Sequence, residues 1–140
     1  MKILLPVDGS VYTKRMLSYI AAHEELLGPG HEYTALHVVP AIPPHAARYL
    51  DRSAVEDYCA GEAAKVLQPV RDYARQKGWA LETVRMTGSA AESIAAHANA
   101  GVYGLIVMGT HGHAALGSAI LGSVASGVLA RCQTPVLLIR

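Results

Sequence analysis

The sequence predicts an α/β fold, an open five-stranded parallel sheet with helices on both faces. Three observations carry that prediction: five short apolar segments, helical periods between them, and near-continuous apolarity in three of the five (ILLPV, LIVM and VLLI). Strands covered on both faces by helices read as unbroken apolar runs. Strict alternation of strand and helix winds into a parallel sheet through right-handed crossovers. At 140 residues the chain fits one domain, residues 1–140. A domain of that size buries roughly two thirds of its unfolded surface and needs no staples.

The first strand is Ile3–Val7. A helical stripe follows at Met16, Ile20, His23 and Leu27, and Gly28-Pro29-Gly30 ends it. Tyr33–Val39 is the second strand. The segment Pro40–Arg52, with Pro40, Pro43 and Pro44, is long for a strand-to-helix loop and has the length of a lid. Val55, Cys59, Ala63, Val66, Val70 and Tyr73 form the next stripe, opened by a Ser53–Glu56 capping box. Pro69 falls inside it, so a kink or a restart is expected there. Ala80–Met86 is the third strand, placed near an edge by Glu82 and Arg85, with Trp79 packing at its start. A Ser89–Glu92 capping box opens a short helix carrying Ala91, Ile94, Ala95 and Ala98. Leu105–Met108 is the fourth strand. The last helix, Ile120–Arg131, carries Ile120, Leu121, Val124, Val128 and Leu129 before the final strand, Val136–Ile139.

Composition excludes several function classes. Hydrophobic residues are 51% of the chain and charged ones 16%, which argues against disorder. Twelve basic and eleven acidic side chains leave a net charge of +1, so no global field draws nucleic acid and an anion must be held locally. No apolar run approaches the ~20 residues of a membrane span. Ile3–Val7 is too short for a signal-peptide core, and Pro6, Asp8 and Gly9 interrupt it. Cys59 and Cys132 form neither a CxxC pair nor a disulfide framework and read as small core residues, so a reduced, cytoplasmic setting is expected. His37 reads as a satisfied polar group within its strand, and His23, His31, His45 and His97 as surface or helix-face residues. His111 and His113 lack a third fixed ligand, so no protein-held metal is expected.

Two segments carry chemistry. Pro6-Val7-Asp8-Gly9-Ser10 follows the first strand. Gly109-Thr110-His111-Gly112 follows the fourth, with Gly117-Ser118 and Gly122-Ser123 after it. In an open sheet ordered 3-2-1-4-5, strands one and four are neighbours where the topology changes direction, and ligands bind outside strand carboxyl ends at that point. Glycines let backbone N–H groups approach an anion as a nest, and the start of the last helix adds unpaired donors and partial positive charge. Gly122 and Ser123 are expected in that first turn. Asp8 can accept from ribose hydroxyls or an adenine amine. The same residues also suit ordinary turns and a helix N-cap. The dinucleotide fingerprint fails because position 111 is His, the half P-loop at Gly112–Ser118 lacks its lysine, and no serine sits in a G-x-S-x-G elbow.

Gly109-x2-Gly112-x9-Gly122-Ser123, with Asp8 after the first strand and Leu36-His37-Val38-Val39 in the second, resembles the nucleotide signature of the universal stress protein family along the whole chain. The resemblance implies a Rossmann-like sheet of order 3-2-1-4-5, a homodimer joined through the last strand, and the ATP-binding branch of the family. It implies that Pro6, Val7, Asp8 and Val38 line the adenine and ribose end. Met108, Gly109, Gly112 and His113 would then follow the ribose and phosphates, and Gly122, Ser123 and Val124 the phosphates. Position 113 commonly carries Arg or Lys in such proteins and is His here.

The expected function is a cytoplasmic, adenine-nucleotide-binding regulator of the stress response. ATP, or AMP or ADP, is the expected cofactor, with Mg²⁺ carried by the nucleotide's own phosphates. No catalytic residue is assigned: nothing supplies a general base aimed at a γ-phosphate, and turnover should be slow or absent. The alternatives are a true nucleotide hydrolase using Asp8 or His113, and a dimerisation module with an empty site. Neither nucleic acid nor membrane is an expected partner.

Overall fold

The computed structural model describes residues 1–113 and 120–140. Among them five strands, β1 (Lys2–Pro6), β2 (Glu32–Val39), β3 (Ala80–Thr87), β4 (Leu105–Gly109) and β5 (Val136–Ile139), form one parallel sheet ordered β3-β2-β1-β4-β5. The expected order and all five strand positions hold, with ends moved by a residue. Helices α1 (Val11–Ala22) and α4 (Arg52–Lys77) cover one face, α5 (Ala90–Ala100) and α6 (Ser123–Arg131) the other. The short helices α2 (Glu24–Leu27) and α3 (Pro44–Ala47) lie in connections.

The continuous apolar runs divide by strand period. Ile3 and Leu5 point into the core beneath α1 and α4, whereas Leu4 joins the layer beneath α5 and α6. In β4, Val107 joins the first layer, and Ile106 and Met108 the second. Both cysteines are buried and free. Trp79 packs beside Tyr33 and Tyr73 just before β3, its indole N–H buried without a partner among the described residues.

Five local expectations need correction. The first helical stripe is broken at His23, where φ is −124° and ψ is 53°; the helix restarts as α2, which keeps Leu27 in the core. α4 is capped by Asp51, whose carboxylate accepts from the Ala54 N–H at 2.7 Å, and not by a Ser53–Glu56 box. That helix runs through Pro69 without restarting. Leu67 and Val70 are buried on either side, and Pro69 itself is on the exposed side. Ser89 is the N-cap of α5, but its side chain makes no capping bond. α6 begins at Ser123 and not Ile120, and only Ala125 and Val128 of its residues are buried, leaving Ile120, Val124 and Leu129 exposed. The segment from Pro40 to Asp51 holds α3 and is otherwise irregular, and Arg52 already belongs to α4.

Candidate functional site

The carboxyl ends of β1 and β4 meet at the switch in strand order, and a cavity of about 700 Å³ opens there. All eleven residues singled out in the sequence line it: Pro6, Val7, Asp8, Val38, Met108, Gly109, Gly112, His113, Gly122, Ser123 and Val124. Its size falls in the ordinary range for small-molecule pockets, ~300–1,000 Å³. Leu36, Val38, Ile94 and Met108 give it an apolar wall from the layer beneath α5 and α6. Gly117-Ser118 lies outside the described residues.

The loop after β1 is built around Asp8. Its Oδ1 accepts from the Ser10 N–H at 2.9 Å and the Thr13 hydroxyl at 3.1 Å, and its Oδ2 accepts from the His113 N–H at 3.1 Å. The Thr13 oxygen in turn accepts from the Asp8 and Gly9 N–H groups. Gly9 takes φ +77°, a left-handed turn that other side chains rarely adopt, and Ser10 caps α1 by accepting from the Tyr12 N–H. Burial pushes the Asp8 carboxyl up, but hydrogen bonds from Ser10, Thr13 and His113 outweigh it and hold the group below 3.8. Asp8 is therefore an anion at neutral pH. With three donors engaged it keeps about one lone-pair site for a ligand.

The glycines of the second segment are close-approach positions. A Cβ on Gly109 would stand 2.6 Å from Tyr12 Cβ, one on Gly112 2.3 Å from Asp8 Oδ2, and one on Gly122 2.8 Å from the Thr110 carbonyl. The Gly122 N–H donates to that same carbonyl at 2.7 Å. This corrects the expectation for Gly122, which is the N-cap and not part of the first turn of α6, and whose N–H is committed to the loop. The donors at the start of α6 instead come from the residues after it, and a glycine cap offers them no side chain. Ser123, the first of those residues, is exposed at the cavity wall.

His113 is placed differently from a phosphate-facing cation. Its Nε2 lies 2.7 Å from the Asp8 carbonyl, which can only accept, so the ring donates there and ties the two loops together. His111 packs against Tyr12 with ring centroids 5.3 Å apart. His37, expected to be a satisfied strand residue, is satisfied: its Nδ1 donates to the Val7 carbonyl at 2.7 Å. It also lines the cavity. Sequence reasoning missed Thr13, Glu62 and Lys65. Thr13 lies in the first turn of α1, five residues after Asp8. By helical period Glu62, next to the buried Ala63 on α4, falls at the margin of its core face, whereas Lys65 falls on the far side of the helix and still lines the cavity. Among the described residues no group of three or more His, Cys, Asp or Glu side chains is placed to hold a metal, and no helix is long and apolar enough to cross a membrane.

Comparison with known proteins agrees with this architecture. The chain is 33% identical over 144 residues to a universal stress protein of Thermus aquaticus, covering 99% of this chain and 97% of that one. It is 28% identical over 150 residues to the universal stress protein YxiE of Bacillus subtilis, covering 99% and 98%. Among solved structures, universal stress protein UspA from Lactobacillus plantarum superposes with a TM-score of 0.78 at 22% identity, over 100% of this chain and 97% of that one. An Arabidopsis thaliana family protein with AMP bound gives 0.71 at 17% identity, over 99% and 90%. An Archaeoglobus fulgidus universal stress protein in complex with dAMP gives 0.70 at 22% identity, over 100% and 98%. The family model described as the universal stress protein family matches residues 1–140, and the chain belongs to that family.

Proposed function

We propose that the protein binds an adenine nucleotide in this cavity and acts as a regulatory binding protein in the cytoplasm. The observation that carries the reading is the pairing, in one cavity, of an apolar wall with the Asp8 carboxylate and a helix start that has no capping side chain. A purine ring suits the apolar wall, a ribose hydroxyl can donate to the free lone pair of Asp8, and a phosphate suits the first N–H groups of α6. The AMP and dAMP held by two similar structures support the same ligand class. Mg²⁺ would be carried by the phosphates. Turnover is slow or absent, because a carboxylate held below 3.8 by three donors is a weak general base. Mass spectrometry of nucleotide released from purified protein, followed by calorimetric titration of the stripped protein with AMP, ADP and ATP, tests the reading. Neither released nucleotide nor binding heat would overturn it.

We propose in addition a two-fold dimer through β5. This strand lies at the sheet edge, with Val136, Leu137 and Leu138 only half-buried. The carbonyls of Pro135 and Ile139 accept from Ile106 and Thr110 N–H groups, so strand alternation turns the backbone groups of Val136 and Leu138 towards the open side. An apolar edge with free donors and acceptors pairs readily with another chain. Leu138→Pro removes an outward donor without touching the bonds to β4. It should shift the light-scattering mass from dimer to monomer while leaving the circular dichroism spectrum intact. A wild-type monomer at micromolar concentration would refute the dimer.

A further inference from the structure

We propose that the Glu62–Lys65 ion pair on α4 sets how many phosphates the site accepts, so that an adenosine monophosphate is selected over metal-free ATP. The proposal rests on the adenine-nucleotide reading above. Lys65 Nζ lies 2.8 Å from Glu62 Oε1, and both side chains line the cavity. The next residue, Val66, stands 3.4 Å from where a Cβ on Gly9 would be, so this turn of α4 lies over the loop that follows β1.

Lys65 is the one lysine or arginine that lines the cavity among the described residues. The sequence brings no substitute, because no lysine or arginine occurs between Arg85 and Arg131, the stretch that includes the whole glycine segment. His113, at the position that could have supplied a cation, donates to the Asp8 carbonyl. Against the single ammonium stand two carboxylates, Glu62 and Asp8. Lys65 is mostly exposed and can turn from Glu62 to an arriving phosphate, but the pair as a unit adds no net charge wherever the lysine points.

A first phosphate therefore meets the N–H groups and partial positive charge of the α6 start. A second and a third meet no uncompensated cation and two anions. At neutral pH metal-free ATP carries roughly two more negative charges than AMP. Polyphosphate binding thus needs a counter-charge that the chain itself withholds, and the carboxylate of Glu62 is what withholds it.

Calorimetric titration of stripped protein with AMP and ATP in EDTA, on wild type, Glu62→Gln and Lys65→Met, tests this. Wild type should bind AMP about tenfold more tightly than ATP. Glu62→Gln should tighten ATP by about fivefold and AMP by less than about twofold, and Lys65→Met should widen the gap. Adding Mg²⁺ should close the gap in wild type, because the metal supplies the missing charge. Both are substitutions of water-facing side chains, so folding is not at stake. ATP binding as tightly as AMP to metal-free wild type, or an AMP/ATP ratio unmoved by Glu62→Gln, overturns the proposal and leaves the adenine-nucleotide reading standing. Absence of binding by either nucleotide overturns both.

Discussion

Replacing Gly112 with alanine tests whether the glycine segment is shaped by Asp8. The added Cβ would sit 2.3 Å from Asp8 Oδ2, far inside van der Waals contact. The carboxylate cannot simply swing away, because its Oδ1 holds the Ser10 N–H at 2.9 Å and the Thr13 hydroxyl at 3.1 Å. The weakest point is the bond from the His113 N–H to Oδ2, at 3.1 Å, and the loop must give way there. Gly112 is not among the glycines with positive φ, so no backbone strain adds to the cost. Losing one charge-assisted hydrogen bond costs about 1.5–3 kcal/mol. A central value of about 2 kcal/mol lowers Tm by roughly 6–8 °C for a domain near this size. Thermal denaturation followed by circular dichroism measures the loss in Gly112→Ala, and again in an Asp8→Ala background. With the carboxylate gone the methyl has room, and the second alanine should cost less than about 0.5 kcal/mol. Equal losses in the two backgrounds would mean that Gly112 is small for some reason other than Asp8.

Three further outcomes follow from the same geometry. Because Asp8 is held below 3.8, its stabilisation is complete above the unfolded-state value and is lost as pH falls through the lower folded one. The stability gap between wild type and Asp8→Asn should therefore shrink as pH drops below 3.8, and a constant gap down to strong acid would refute the assignment. His113 donates from Nε2 to the Asp8 carbonyl and ties the two loops together, so His113→Ala should weaken nucleotide binding by roughly fivefold in calorimetric titration. An affinity unchanged from wild type would refute that tie between the loops. Tyr33 donates its hydroxyl to the Leu27 and Gly28 carbonyls, and burial pushes its phenol up to about 12. Tyr33→Phe should cost about 1–2 kcal/mol at neutral pH, and the gap should narrow between pH 10 and 12, as the phenol of the unfolded chain ionises ahead of the native one. An undiminished gap there would count against that pairing.

The strands were legible because burial on both faces demands unbroken apolar runs, which few other local structures tolerate at lengths of four to eight residues. Helix ends were less so. The stripe through His23 keeps its period across a break because α2 still points Leu27 inward. At α4, Asp51 and Ser53 both suit an N-cap, and only the Ala54 N–H settles which one is used. For the site, motif and place were legible and mechanism was not. Glycines at 109, 112 and 122 announce close approach, but the partner in each case belongs to a distant segment or to the folded loop itself: Tyr12, Asp8, and the Thr110 backbone. A search for anion nests alone assigns those glycines to a ligand. The same spacing is required by the loop's own packing, so their presence is necessary for the cavity without being a measure of phosphate affinity. Charge behaves similarly. A net charge of +1 over 140 residues says little about a cavity in which one lysine faces two carboxylates. That imbalance comes from the sheet order, which sets α4 on the β1 side of the switch and brings Glu62 and Lys65 beside a glycine segment almost fifty residues away. Ligand class is thus written in a local pattern, whereas the number of phosphates depends on which helix the topology lays over it.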